Sequence, residues 1–249
     1  MEILGASQQA AERCQALDFD EPVTCTYNPL DYAWEGYRAY LERFADEPKD
    51  VLMVGMNPGP WGMGQTGVPF GDVDRVREGM GIADIEVDTP ETYLEDERPV
   101  HGFDCPRNER SGTRLYEGLA DRFGTLEDAY EHLFVANYCP LLFFDDEASN
   151  ITPPRLRKAD REALFAICDE RLSRLIDHLD PDALVGVGRF AERRIEAVLA
   201  DRGEDRQVEY LLHPSPANPM ANKDGGEYWQ AQLAETLEAC GLETEAVEA

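Results

Sequence analysis

The sequence predicts an α/β fold with a parallel sheet covered on both faces, and three observations lead to it. Four short apolar runs lack the in-out alternation of a half-exposed strand. Stretches with apolar residues at steps of three and four surround them, the period of amphipathic helices. Each run ends on, or is followed at once by, a polar residue. Strands and helices arranged in this way give helical layers on both sides of a parallel sheet, and the carboxyl ends of its strands form the ligand crevice.

Along the chain, Trp34, Tyr37, Leu41 and Phe44 predict the first helix. Val51 to Met56 (VLMVGM) is the first buried strand, followed by Asn57. The segment 55 to 71, GMNPGPWGMGQTGVPFG, carries six glycines and three prolines in seventeen positions, which makes it a stiff, contoured loop able to wall a binding site. A helix around Val73 to Met80 and then a long charged loop to residue 110 follow. Leu133 to Asn137 is the second strand and ends on Asn137. The clearest helical stripe is Leu164, Ile167, Cys168, Leu172, Leu175, Ile176 and Leu179. Ala183 to Gly188 is the third strand, followed by Arg189 and a helix marked by Phe190, Ile195, Val198 and Leu199. Val208 to Leu212 is the fourth, followed by His213, and Tyr228, Leu233, Leu237 and Cys240 mark a last helix. Asn57, Asn137, Arg189 and His213 therefore converge on one sheet edge, which is a site prediction made by topology.

The 249 residues and 43% hydrophobic content suit one domain spanning 1 to 249, with an N-terminal extension over about 1 to 30 and a disordered acidic tail over 243 to 249. The six cysteines are scattered, with no CxxC pair or metal-like spacing, so neither zinc nor an iron-sulfur cluster is expected and the thiols read as reduced, in a cytoplasmic protein. No segment approaches the roughly 18 apolar residues of a membrane span. The net charge of −28 argues at first against a nucleic-acid partner, whose phosphates select basic surfaces. Three lysines against 51 acidic residues, however, suit a cytosol of molar salt, where at about 1 M the screening length falls to roughly 3 Å and only contact-range interactions count. The expectation is a halophilic protein whose acids form a solvated coat.

Taken together, GMNPGPWGMGQTGVPFG at 55, LFVANYCPLLF at 133, NITP at 150, ICDERL at 167, LVGVGRFAERR at 184 and LLHPSPANPMANK at 211 resemble the uracil-DNA glycosylase superfamily, specifically its single-strand-selective monofunctional branch. The collinear matches cover most of residues 50 to 240. The resemblance implies an α/β/α sandwich around a four-stranded parallel sheet, and a monofunctional DNA glycosylase that hydrolyses the N-glycosidic bond of uracil and 5-substituted uracils in DNA, leaving an abasic site for base excision repair. It also implies DNA as partner and no cofactor; with the composition and spacing read above, the expectation is a monomer with no metal and no membrane partner, cytoplasmic and, in a prokaryote, nucleoid-associated.

By the same resemblance Asn57 positions the attacking water. An amide can hold water by hydrogen bonding but cannot take its proton as a carboxylate would. His213 corresponds to the catalytic imidazole that donates to O2 of the departing base, where negative charge develops. Phe70 stacks on the extruded base, and Asn137 reads the edge bearing O4 and N3. Met56 and Gly59 complete the base pocket, Gly59 leaving room for substituents on C5. Ser215, Pro216 and Ala217 face DNA. For Arg189, with Arg193 and Arg194, phosphate contact and ion pairing with Glu192 and Glu196 both stand open.

One position departs from the family. The residue after HPSP is commonly an arginine that wedges into the duplex, and this chain has Ala217. Either Met220 takes over the wedge, or single-stranded and mispaired sites, where unstacking costs less, are favoured. Hydrolysis of a free nucleoside and a catalytically silent DNA-binding module are the alternative functions.

Overall fold

The computed structural model describes residues 2–83 and 85–242, so the predicted acidic tail over 243–249 lies outside the described residues. The chain opens with α1 (Glu2–Gln15), β1 (Cys25–Tyr27), the short α2 (Pro29–Tyr32) and α3 (Trp34–Phe44). α1 buries Ile3, Ala10, Ala11 and Cys14, and β1 is paired in a sheet. The residues read as an N-terminal extension are thus packed onto the rest of the protein.

β2 (Val51–Gly55) follows, then the short α4 (Met63–Thr66), α5 (Arg110–Phe123), α6 (Leu126–His132) and β3 (Leu133–Asn137). Next come β4 (Leu142–Phe144), β5 (Asn150–Ile151), α7 (Lys158–Leu179), β6 (Ala183–Val187), α8 (Arg189–Arg202), β7 (Gln207–Leu211) and α9 (Glu227–Ala239). The four predicted strands form a parallel sheet in the order β3-β2-β6-β7. Val51, Leu52, Met53 and Val54 of β2 have no exposed surface. At about 1.5–3 kcal/mol for each large apolar side chain fully buried, such a strand is stable only with a helical layer on both faces.

Helices supply those layers. α8 packs along β6 and β7 and touches α7, which in turn carries α1; α9 covers β7 and meets α5, which packs on α6. Local chemistry sets the helix ends. Thr125 caps α6 by accepting from the Asp128 backbone N–H at 3.0 Å, and α7 stops at Asp180, whose φ of 41° precedes Pro181.

The fold adds a second sheet to the predicted sandwich, an antiparallel one in the order β1-β4-β5. A buried cluster of Cys25, Tyr27, Tyr32, Ala33, Leu142 and Phe144 sits on it. Much of the long loop after residue 80 packs there through Val87, Tyr93, Leu94 and Val100. Tyr27 Oη fixes its path, donating to the Arg98 carbonyl and accepting from the Leu94 N–H, both at 2.8 Å. The helix expected over Val73 to Met80 is present but irregular: Val73 and Asp74 are α-helical and Arg75–Gly79 forms a π-type turn, whose first residue donates its N–H to Asp72.

Candidate active site

Gly55 pairs with Asn137 in register, and Val187 with Leu211, so the four parallel strands finish level with one another. The glycine-proline loop leaves this edge and returns through Phe70, a bulky residue at φ 56°. A left-handed conformation costs roughly 1–3 kcal/mol at such a residue and persists only where the surroundings enforce it. Here Thr66 Oγ1 donates to the Gly71 carbonyl and accepts from the Val68 N–H, while Tyr116 Oη donates to the Pro69 carbonyl. Gly112 of α5 lets the helix pack directly on this loop, since a Cβ there would lie 1.7 Å from the Phe70 carbonyl oxygen. The Phe70 ring and Asn137 Oδ1 meet over Gly55, and a Cβ on Gly55 would lie within 2.6 Å of both.

Two amides face this edge. Asn57 Nδ2 donates to the Leu141 carbonyl at 3.1 Å and to the Pro58 carbonyl at 3.4 Å, which leaves Oδ1 to accept. Asn137 is buried, and its Oδ1 has no hydrogen-bond partner among the described residues while Nδ2 rests on Met63 Sδ at 3.3 Å. A buried, unpaired amide oxygen is costly, so the site is built to receive a donor. Its backbone is held from behind by Arg171 of α7, whose Nη1 donates to the Asn137 carbonyl and Nη2 to Tyr37 Oη, each at 2.7 Å.

His213 leaves β7 on the loop HPSPANP. Its Nδ1 accepts the Ser215 backbone N–H at 3.2 Å, so the ring proton of the neutral form sits on Nε2. Burial drives the imidazole down to about 4. The loop itself is pinned. Arg114 donates to the Pro214 carbonyl at 3.0 Å, Asn222 to the Pro216 carbonyl at 2.7 Å, and Trp229 to the Leu212 carbonyl at 2.6 Å.

These side chains share one cavity of about 190 Å³. Met56, Asn57, Gly59, Phe70, Asn137, His213 and Ser215, all singled out from the sequence, line it. Pro216 instead borders an adjoining groove with Arg110, Arg114 and Asn222. Ala217 is exposed, and Arg189 pairs with Glu192 at 2.7 Å and lies over the Tyr210 ring, so neither is brought into the cavity. Arg194 is held by Asp169 between the Tyr138 and Phe165 rings.

Sequence reasoning missed Ser111, Asn150, Thr152 and above all Glu109, which also line the cavity. The Glu109 carboxylate fills the space that a side chain at Gly59 would need, with Oε2 2.0 Å from a Cβ built there. That Oε2 is fully buried and unpartnered among the described residues. Burial pushes the Glu109 carboxyl up from its ordinary value, and the nearby Asp72 adds to the shift. Among the described residues no group of three or more His, Cys, Asp and Glu side chains is placed to hold a metal ion, and no helix is long and apolar enough to cross a membrane.

Residues 42–236 match the Uracil DNA glycosylase superfamily. The chain is 45% identical over 226 residues to a single-strand selective monofunctional uracil-DNA glycosylase of Rattus norvegicus, covering 91% of this chain and 79% of the rat protein. A Bos taurus protein of the same description is 43% identical over 231 residues, covering 93% and 83% of the two chains. In three dimensions the fold matches the crystal structure of wild-type Pedobacter heparinus SMUG2 with a TM-score of 0.66 at 18% identity, over 96% of this chain and 99% of that one.

Proposed function

The chain belongs to the uracil-DNA glycosylase superfamily, and from that premise we propose that it is a monofunctional uracil-DNA glycosylase of base excision repair, acting on uracil and 5-substituted uracils in DNA. The observation that carries this reading is the shared cavity, in which the amides of Asn57 and Asn137, the Phe70 ring and the His213 imidazole face one small volume.

In this reading the damaged nucleotide is turned out of the DNA and its base lies against Phe70, a stack worth roughly 1–3 kcal/mol. Asn137 Oδ1, unpartnered in the protein, accepts from N3–H while Nδ2 leaves Met63 Sδ for O4. Nε2–H of neutral His213 donates to O2, where charge collects as the N-glycosidic bond breaks and the base departs as an anion. A water held on Asn57 Oδ1 then adds its hydroxyl to C1′, and its proton ends on the released base. A neutral imidazole suits this role because its burial leaves no cost of carrying an unpaired charge before the reaction.

A lyase step would need an amine poised as a nucleophile. Lys49 is buried near Glu47, Lys158 pairs with Glu162, and Lys223 lies over the Tyr228 ring; none lines the cavity. The products are therefore free base and an intact abasic site. The reading also extends to a monomer working at the DNA of a prokaryotic cytoplasm, the setting favoured by its scattered thiols and its salt-suited composition.

The test is a panel of single- and double-stranded oligonucleotides, each with one modified base, incubated in low and molar salt and then cleaved with alkali. Release of uracil by the wild type, and its loss in Asn57→Ala and His213→Ala variants that keep their melting temperature, is the expected result. No alkali-labile site on any uracil substrate would overturn the reading, and a borohydride-trapped adduct would overturn its monofunctional part.

A further inference from the structure

The ring that meets the base belongs to Phe70, and one peptide plane sets where that ring lies. The plane joining Pro69 to Phe70 carries the Pro69 carbonyl, so turning it over changes ψ of Pro69 and φ of Phe70 together. At φ 56° Phe70 stands in the left-handed region, which bulky L residues avoid. A plane free to turn would carry Phe70 back to negative φ, relieve that strain and move the ring. Tyr116 Oη opposes the turn by donating to the buried Pro69 carbonyl, which without it is left unpaired.

Tyr116 is itself part of a chain. Tyr130 Oη lies 3.3 Å from Tyr116 Oη and 2.9 Å from Tyr40 Oη, and Tyr40 Oη lies 2.7 Å from the Val135 carbonyl. The three hydroxyls therefore run from β3, two residues before Asn137, to the carbonyl before Phe70, and tie two walls of the cavity together. Three protons serve four contacts. The carbonyls at the two ends can only accept, so they take the protons of Tyr40 and Tyr116, and Tyr130 has one proton for the two oxygens beside it. All three rings are buried, and Tyr130 stacks on Phe44 with centroids 4.2 Å apart, which fixes the hydroxyls in place. Burial pushes each phenol above its ordinary value, so Tyr116 keeps its proton throughout the working range.

We propose that Tyr116 is the positioning residue for Phe70: its hydroxyl, backed by Tyr130 and Tyr40, holds the Pro69–Phe70 peptide in the orientation that lays the aromatic ring along the cavity. This rests on the glycosylase reading above. Tyr116 does not line the cavity, so it acts on the base through Phe70 alone.

The experiment is a double-mutant cycle on uracil release from a single-stranded oligonucleotide, with Tyr116→Phe and Phe70→Ala made singly and together. Tyr116→Phe removes one oxygen and keeps the ring. It is expected to lower kcat/KM by about tenfold, with the loss in KM, because a stack on the base serves the ground state and the transition state alike. Phe70→Ala alone costs about 5- to 150-fold, the equivalent of one lost stack. In the Phe70→Ala background the added Tyr116→Phe should change kcat/KM by less than about twofold, since no ring remains to be placed. Equal fold losses in the two backgrounds overturn the proposal, because a hydroxyl that only supports the core acts whether or not the ring is there. A Tyr116→Phe protein with wild-type kcat/KM overturns it as well. Where Tyr116→Phe does not fold, Tyr130→Phe carries the test: it leaves the bond to Pro69 in place, so a loss of about threefold is expected, again vanishing without the ring. No loss in Tyr130→Phe, or an equal loss in both backgrounds, then overturns the proposal. Absence of uracil release by wild type is a different failure: it removes the glycosylase reading itself, and this inference with it.

Discussion

The Ser215 backbone N–H points at His213 Nδ1 across 3.2 Å, and this one contact decides which imidazole nitrogen can serve a substrate. A protonated ring would set two N–H groups against each other there, which reinforces the burial that lowers the group to about 4. His213 should therefore stay neutral throughout the ordinary working range. Because its folded value lies below the usual 6.5, the stability tied to its neutral form is complete above 6.5 and is lost as pH falls from 6.5 toward 4. We expect the acid limb of kcat/KM for uracil release near pH 4, measured in wild type and in Glu109→Gln so that the raised Glu109 carboxyl is separated out. A limb at 6.5 in both proteins would show that a charged imidazole is tolerated and that the contact does not set the tautomer.

Asn57→Asp is not a gain of general base. Asn57 Nδ2 faces the Leu141 and Pro58 carbonyls, so a carboxylate turned the same way sets oxygen against oxygen. The variant loses two donors, leaves the Leu141 carbonyl unpaired, and should lose roughly 1–3 kcal/mol of stability. Its uracil release should fall by at least about tenfold at neutral pH, as a misplaced nucleophile does. A faster Asp variant would sink the idea that the amide is needed for its donors as well as its acceptor.

Arg171 holds Asn137 from behind, at 2.7 Å through the backbone carbonyl, and carries no ion-pair partner among the described residues. Removing it in Arg171→Ala leaves that carbonyl and the Tyr37 hydroxyl unsupported. Since it acts through Asn137, the expected loss falls mainly on selection for the N3/O4 edge. Discrimination between uracil and cytosine in single strands should narrow by about tenfold, one hydrogen bond's worth. A uniform loss on uracil with discrimination intact would mean that Arg171 serves only the core.

These residues differ in how far the chain announces them. Strands β2 and β6 are apolar throughout, and β3 is so up to its terminal Asn137, because both faces are covered, and such runs are readable without alternation. Asn57, Asn137 and His213 at three strand ends then needed only the parallel topology to converge on the cavity, which Arg189 does not enter. Glu109 had no comparable signal, since it reaches the cavity along the aperiodic path between residues 80 and 110, fixed by contacts to Tyr27 rather than by local propensity. Strands of two and three residues, as in β4 and β5, are too short to show a period. α1 presents Ala10 and Ala11 to the core, a weak apolar signal. Arg171 did leave a mark, a cation set in the apolar stripe of α7 between Cys168 and Leu172. For Arg189 the spacing to Glu192 fitted both an ion pair and a phosphate contact, and the observed geometry is the ion pair.

Met220 is 45% exposed, the one large hydrophobic residue so exposed among the described residues, and it stands three positions beyond Ala217 on the His213 loop. An apolar side chain there can enter the gap left by an extruded base, which the methyl of Ala217 cannot fill. Met220→Ala should lower release from U:A duplexes by about tenfold, the unstacking support of a wedge, with a smaller effect on single strands. Ala217→Arg should raise duplex release more than single-strand release. Equal effects of Met220→Ala on the two substrates would mean that nothing on this loop replaces the missing wedge.

The net charge of −28 makes salt a structural variable. At about 0.1 M ionic strength the screening length of about 10 Å lets acids across the surface repel one another and repel a phosphate backbone; at about 1 M it is roughly 3 Å and both repulsions collapse. The exposed ion pairs, such as Arg13 with Glu170 and Arg43 with Glu127, are worth little at any salt and do not offset this. Melting temperature should therefore rise as potassium chloride goes from about 0.1 M to about 2 M. Uracil release should hold or increase over the same range, the reverse of the steep salt loss usual for a protein that binds DNA through a basic surface. The decisive comparison is made on one preparation, with melting followed by calorimetry and turnover by alkali cleavage. If both quantities peak in dilute buffer, the acidic surface is not an adaptation to salt, and contact with DNA must instead run through local cations such as Arg110 and Arg114 of the groove beside Pro216.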